Sequence, residues 1–245
     1  MRALFVSVCC GVLVACDSMQ SSGHDTSQMQ ATLEADAPGD GLVNVRVVLR
    51  PSVRSRTSLD LVAPDSLTAT VGQTTRTLER HSMLGSIWYD ASFPVDAAGT
   101  KVKVALSRPT STDAPNSEVT LPAPFDFATP SENSTFTRSE SISVTWNVSG
   151  DHEPILLSAR GACIKPVDVS LETDSGAYTL PPFQTLVGHK KDSCVVDLHL
   201  IRSRDGSVDP AFEKGTTFKS TASRTVRITS TPELPLPAKE GRPSG

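Results

Sequence analysis

Apolar and polar residues alternate along most of the chain from residue 42 onward. The pattern is clearest in the segments 43–49, 87–93, 102–106, 142–146 and 196–200, where every second residue is apolar. A period of two, rich in Val and Thr, is typical of half-buried β-strands. Turn-forming residues separate these segments, and no window of about eleven residues shows a helical period. The pattern therefore predicts an all-β fold of the β-sandwich type.

The strands fall into two groups on either side of a stiff connector, Leu121-Pro122-Ala123-Pro124. Each proline fixes its own φ and disfavours helix before it, which is typical of a linker. The chain has 245 residues, more than a typical single domain of about 100–150. We therefore predict two tandem β-sandwiches, over residues 42–122 and 123–232, followed by a disordered tail over 233–245.

Residues 16–41 have a different composition, rich in Ser, Gln, Gly, Asp and Ala with few large apolar side chains. Such a segment buries too little surface to offset the entropy lost on ordering. It is expected to form a flexible tether.

The first fifteen residues have the order of a secretory signal: Arg2, an apolar run over 3–13, and the small residue Ala15. The run is shorter than the roughly 20 residues that span a bilayer. The next feature, Leu13-Val14-Ala15-Cys16, resembles the bacterial lipobox, whose cysteine receives a diacylglyceryl group and becomes the mature N-terminus.

The lipobox resemblance implies that residues 1–15 are removed and that Cys16 attaches the protein to a membrane. It places the protein in a bacterial cell envelope, with its globular part outside the cytoplasm. Asp17 resembles the inner-membrane retention signal of enteric-type lipoproteins, but that rule varies between bacterial groups, so both membranes stay open.

Cysteine usage agrees with this export. Of the five cysteines, Cys9 and Cys10 leave with the signal and Cys16 carries the lipid, which leaves Cys163 and Cys194. Two thiols in an oxidising compartment are expected to pair; two buried free thiols are the alternative. No CxxC motif or paired histidines accompany them, so no zinc site is expected.

The second half of the chain resembles immunoglobulin-like modules of bacterial and fungal extracellular proteins. The resemblance rests on residues 128–131, on the strand 141–146 ending in Trp146, and on Asp174-Ser175-Gly176-Ala177-Tyr178-Thr179-Leu180-Pro181. It implies a sandwich with Trp146 in its core. Since Trp146 precedes both cysteines, the bridge would join different strands from those of an antibody domain.

Charge and motifs exclude several functions. The net charge of −4 comes without a dense cationic face, so no nucleic-acid partner is expected. Metallopeptidase, nucleophile-elbow and phosphate-loop motifs are absent from the sequence, so no catalytic residue and no cofactor is assigned. Asp205, Asp209 and Glu213 lack EF-hand spacing and are interpreted as solvated acids in a turn rather than a calcium site.

Trp88 is the one candidate for ligand contact. Neighbouring strand residues point to opposite faces, so Trp88 faces outward if Tyr89 is buried with Ile87 and Phe93. The alternative is that a loop or the neighbouring domain covers it.

Together these patterns predict a lipid-anchored envelope protein that acts as a non-enzymatic binding or structural module, with a protein or glycan partner. One alternative is a carbohydrate- or peptidoglycan-binding lipoprotein that uses Trp88. Another is an envelope hydrolase whose His, Ser and Asp residues converge only in the folded chain.

Overall fold

The computed structural model of the chain describes residues 19–150, 153–189 and 192–232. The predicted signal peptide, the lipidation site Cys16 and the predicted tail over 233–245 lie outside these residues. Helix is limited, in the described part, to the short 3-10 segments Ser21–Gly23 and Thr26–Gln28. None of the described helices is long and apolar enough to cross a membrane.

The all-β class is confirmed. The strands β1 to β18 are, in chain order, Met19–Gln20, Gln30–Ala37, Val43–Arg50, Leu59–Asp60, Ser66–Val71, Thr74–Thr77, Glu79–Met83, Ser86–Phe93, Lys101–Ser107, Ala114–Thr120, Phe127–Thr129, Thr135–Thr137, Ile142–Trp146, Ile155–Gly161, Val167–Leu171, Ala177–Leu180, Cys194–Asp205 and Thr217–Thr231.

The first β-sandwich packs the four-stranded sheet β10-β9-β5-β6 against the strands β18-β2-β3-β8-β7. Its core takes the inward residues of both sheets, such as Val45 and Val47 from β3 and Val102 and Val104 from β9. The alternation in the sequence therefore marks the faces that meet.

The second sandwich packs the sheet β11-β13-β16 against the strands β15-β14-β17-β18. Trp146 is buried in its core with Leu157 and Leu198, as the resemblance to immunoglobulin-like modules implies. Leu121 is the last first-core residue before the linker and Phe125 is the first residue of the second core, so the chain passes between the units through Pro122-Ala123-Pro124.

One strand joins the two sandwiches. β18 has 15 residues, and the 14 steps between them, of about 3.3 Å each, make it roughly 46 Å long. Phe218, near its start, lies in the first core, and Val226 and Ile228 lie in the second. Because the strand is continuous, one nine-stranded sheet runs through both units.

The structure corrects the predicted tether. From Met19 onward the segment is ordered, and β2 lies in the large sheet between β18 and β3. The side chains of Ala31, Leu33 and Ala35 are at most 1% exposed. Small apolar residues at every second position are enough to hold β2 in the sheet, because its backbone is paired with a neighbouring strand on each edge.

The predicted domain bounds also change. The first unit starts before residue 42, and it takes Phe212 and Phe218 from the C-terminal part of the chain. Residues 32–37 pair in parallel with residues 217–222, a long-range pairing that local composition does not reveal.

Candidate functional site

Trp88 lies on the outer face of β8 and is half-buried. Its indole N–H donates to the Asp90 carboxylate at 2.7 Å. The Arg46 guanidinium lies 4.9 Å from the centre of the indole ring. The His81 ring stacks on the indole at 5.7 Å between centroids, with an interplanar angle of 18°. These four residues form the Trp88 cluster.

Strand register brings the Trp88 cluster together. Arg46 on β3 pairs with Asp90 on β8, and His81 on β7 pairs with Trp88. His81 Nε2 also lies 3.1 Å from the Asp90 carboxylate. The ring is therefore packed against the side chains of neighbouring strands, whereas the sequence predicted either an open platform or cover from a loop or domain.

Behind this cluster, Tyr89 points into the first sandwich, as predicted. Its hydroxyl accepts a hydrogen bond from the Leu61 backbone N–H at 2.7 Å and lies 3.3 Å from the Asp60 carboxylate. Burial raises the pKa of Tyr89 to about 12. The phenol therefore stays protonated at neutral pH and fixes β4 to the sheet.

The predicted disulfide is confirmed. Cys163 and Cys194 are joined with an S–S distance of 2.06 Å across a sequence separation of 31 residues. The bond ties the turn after β14 to the first residue of β17, and Cys163 is buried. It closes the end of the second sandwich that lies away from the first.

A buried ionic network lies where the linker enters the second sandwich. Arg202 is fully buried and donates to the Asp174 carboxylate at 2.7 Å. Its guanidinium stacks 4.2 Å from the centre of the Phe125 ring and donates to the carbonyl of Ala123. We call Arg202, Asp174, Phe125 and Ala123 the junction network.

Further donors hold Asp174 in its charged form. The indole N–H of Trp146 donates to Asp174 at 2.7 Å, and the Ser149 backbone N–H donates at 2.9 Å. Burial by itself would raise the pKa of this carboxyl, but these hydrogen bonds and the charge of Arg202 outweigh it. The pKa of Asp174 consequently lies below its ordinary value. Its ion pair is intact at neutral pH, so the group is suited to holding structure rather than to proton transfer.

A second buried arginine occupies the matching place in the first sandwich. Arg108 is 2% exposed and pairs with Asp65 at 2.9 Å. It also donates to the backbone carbonyls of Ser21 and His24, both at 2.8 Å. The contacts fix the segment that precedes β2 onto the sandwich.

The remaining candidates do not converge. Asp209 accepts hydrogen bonds from the backbone N–H groups of Asn116 and Ala211. Glu213 accepts one from the backbone N–H of Val53. Asp205 is largely exposed. His199 faces outward beside Thr225, and burial lowers its pKa. Among the described residues, no group of three or more His, Cys, Asp or Glu side chains could hold a metal ion.

The burial of Arg108 and Arg202 was not predicted, although a pattern in the sequence indicates it. Arg108 follows Val102, Val104 and Leu106 at the next inward position of its strand face. Arg202 follows Val196, Leu198 and Leu200 in the same way. A cation that continues an apolar face is expected to be buried and paired.

Comparison by sequence finds no matching family model and no matching curated protein. By structure, the chain is similar to a segment of two fibronectin type III domains from chicken tenascin, with 13% identity and a TM-score of 0.23 over 80% of this chain and 97% of that one. It is similar to the fibronectin(III)-like modules of CbhA from Clostridium thermocellum, with 12% identity and a TM-score of 0.23 over 86% and 100%. It is also similar to a cytokine receptor complex, with 12% identity and a TM-score of 0.33 over 84% of this chain and 98% of that one. At these scores the fold rests on the strands and cores described above, and the neighbours assign no function.

Proposed function

We propose that the protein is a lipid-anchored component of a bacterial cell envelope and acts as a rigid, non-enzymatic binding or structural module. Cys16 would carry the lipid, and the globular part would lie outside the cytoplasm. The Cys163–Cys194 bond supports this location, since structural disulfides persist in oxidising compartments.

The observation that carries the proposal is the continuity of β18 through both sandwiches. A strand shared by two cores cannot bend at the linker without breaking its ladder to β17, which pairs it from Cys194↔Ser230 to Asp205↔Lys219. The junction network adds a buried ion pair at the same place. The two units therefore act as one spacer that keeps its far end at a fixed distance from the anchor.

The far end offers a surface for a partner. Val187 is 95% exposed there, and its loop is tied down because the backbone N–H of Leu186 donates to the carbonyl of the disulfide-bonded Cys163. A projecting apolar residue on a constrained loop is a suitable contact point for an envelope protein or glycan.

Membrane attachment is tested by mass spectrometry of the N-terminal peptide and by fractionation. Wild-type protein is expected to begin at an acylated Cys16 and to sediment with membranes, and Cys16→Ser should release it. The double variant Cys163→Ala/Cys194→Ala is the matched control, because it also removes cysteines and should stay in the membrane fraction. An unmodified Cys16 in the wild type would remove the basis of the anchor.

Partner binding is tested with a photo-crosslinking amino acid at position 187 in intact cells. A discrete crosslinked product is expected there and not from position 148, whose side chain is also exposed but lies near the junction. Equal, diffuse crosslinking from both positions would count against a binding surface at the far end.

A further inference from the structure

Exposed apolar side chains collect at the end of the first sandwich that lies away from the second. Met83 and Leu84 are 64% and 100% exposed, and Val53 and Met19 are 54% and 46% exposed. These are four of the eight large apolar residues that the described chain exposes. We call this surface, formed by the loop 51–58, the turn 83–86 and Met19, the entry end.

Strand register places these residues at one end. Val47 pairs with Tyr89, so the end of β3 at Arg50 lies beside the start of β8. Met83 pairs with Ser86 at that same start, and the loop 51–58 continues from β3. Met19 pairs in parallel with Leu59, the residue that follows this loop.

The turn at the entry end has an unusual residue. Leu84 and Gly85 both have positive φ, of 49° and 82°. Two-residue hairpin turns with this geometry favour Asn-Gly, because Asn tolerates the left-handed region and is polar. Leucine is strained in that region and is fully exposed here, so it gives the isolated protein no packing in return. A strained and fully exposed apolar side chain is a candidate for a contact outside the folded chain.

The position of the chain start identifies that contact. Only two residues, Asp17 and Ser18, separate the proposed lipid-bearing Cys16 from Met19. Three Cα–Cα steps reach at most about 11 Å, so the entry end cannot lie far from the bilayer surface. Arg108 holds the following segment firmly, through the carbonyls of Ser21 and His24.

Charge at the entry end fits an anionic lipid surface. Arg54 and Arg56 are exposed and follow Val53 in the same loop. Arginine beside apolar residues can contact headgroup phosphates while its neighbours enter the lipid. Asp25 and Asp113 are exposed acids in the same part of the sandwich, and Glu213 accepts from the Val53 backbone N–H. The apolar side chains therefore contribute more to the contact than net charge does.

We propose that the entry end docks on the bilayer, with Leu84 and Met83 inserted at the headgroup–acyl boundary and Arg54 and Arg56 against anionic headgroups. This inference rests on the proposed lipid attachment at Cys16. Docking would set the orientation of the body, so that the roughly 46 Å strand β18 leads away from the membrane and the far end faces a partner.

The test is a fluorescence measurement on the acylated protein in vesicles of phosphatidylethanolamine and phosphatidylglycerol. An environment-sensitive dye is attached to a cysteine introduced as Leu84→Cys or, separately, Val53→Cys. The thiols of Cys163 and Cys194 do not compete for the dye, since they are bonded to each other, and in the acylated, processed protein the thiol of Cys16 would carry the lipid. Val187→Cys is the matched control, because it is equally exposed and lies at the far end.

Dyes at 84 and 53 are expected to shift to the blue and to lose most of their emission when nitroxide-labelled lipid is added, while the dye at 187 changes in neither respect. If the protein floats with the vesicles but the dyes at 84 and 53 behave like the one at 187, docking is overturned and the anchor stands. If Cys16 is unmodified and the protein does not float, the anchor fails and the docking inference fails with it.

Discussion

Removal of the Asp174 carboxylate is expected to be the most damaging single change in the second sandwich. Asp174→Ala removes the shorter ion pair of the fully buried Arg202 and leaves it a longer contact with Glu153, at 3.9 Å. It also removes the acceptor for the Trp146 indole and the Ser149 backbone N–H. Trp146 and Ser149 would then lose this acceptor, whereas Arg202 would keep its contacts with the carbonyls of Ala123 and Asn147 and with Glu153.

The expected loss of stability follows from the burial of this ion pair. Breaking a buried ion pair by removing one partner costs about 3–5 kcal/mol when the remaining charge is uncompensated. The 3.9 Å contact of Arg202 with Glu153 places the expected loss toward the lower end of that range. Typical unfolding free energies are about 5–15 kcal/mol, so the variant would lose a large share of its stability. The matched control is Asp168→Ala, which removes the same side chain from an ion pair with Arg160 whose partners are 47% and 54% exposed. Exposed pairs contribute at most about 1 kcal/mol.

Urea unfolding, followed by tryptophan fluorescence and far-ultraviolet circular dichroism, measures the difference. The midpoint of Asp174→Ala is expected to fall well below that of Asp168→Ala. If the two variants unfold at the same urea concentration, the reasoning about the junction network is wrong.

The pH dependence gives a second measurement of the same group. The pKa of Asp174 is lowered in the folded protein, so its contribution is complete above the unfolded-state pKa of about 3.9. The contribution is lost as pH falls through the folded-state value. The stability gap between wild type and Asp174→Asn should therefore be constant near neutral pH and narrow below about pH 4.

Three other changes test separate parts of the structure. Leu33→Ala should lower the free energy of unfolding, measured in urea, by about 2–5 kcal/mol, because the side chain is fully buried in β2. A negligible effect would favour a flexible tether over an ordered β2. Arg108→Met, which breaks the pair with Asp65, should expose the residues before β2 to limited proteolysis, and unchanged cleavage would contradict their fixation. Cys163→Ala/Cys194→Ala should lower stability by about 3–4 kcal/mol through the closed loop of 31 residues, and a reductant should then have no further effect on the urea midpoint.

The sequence predicts most strands because their apolar residues are large and regularly spaced. The segment 43–49 forms β3, and the segment 142–146 forms β13. The residues of β2 alternate as well, but alanine occupies three of its four inward positions 31, 33, 35 and 37. Composition alone therefore suggested a polar tether.

The shared strand could not be predicted from local patterns. β2 pairs with a segment 185 residues away, from Thr32↔Thr217 to Ala37↔Ala222. Nothing in either segment specifies the other, because backbone pairing carries little side-chain information. The Trp88 cluster was missed for a related reason, since two of the partners of Trp88, Arg46 and His81, come from the neighbouring strands β3 and β7.

Arg108 and Arg202 have the same structural role in the two sandwiches: each fixes the segment of chain that enters its sandwich. Each continues an apolar strand face, pairs with a buried carboxylate and donates to carbonyls of the segment that enters its sandwich. An apolar residue at either position could not donate a hydrogen bond to those carbonyls. The arginines thus convert two flexible connections, one before β2 and one between the sandwiches, into fixed ones. The proposed anchoring at Cys16 would require both, because the far end of the module holds a set position and orientation only if neither connection bends.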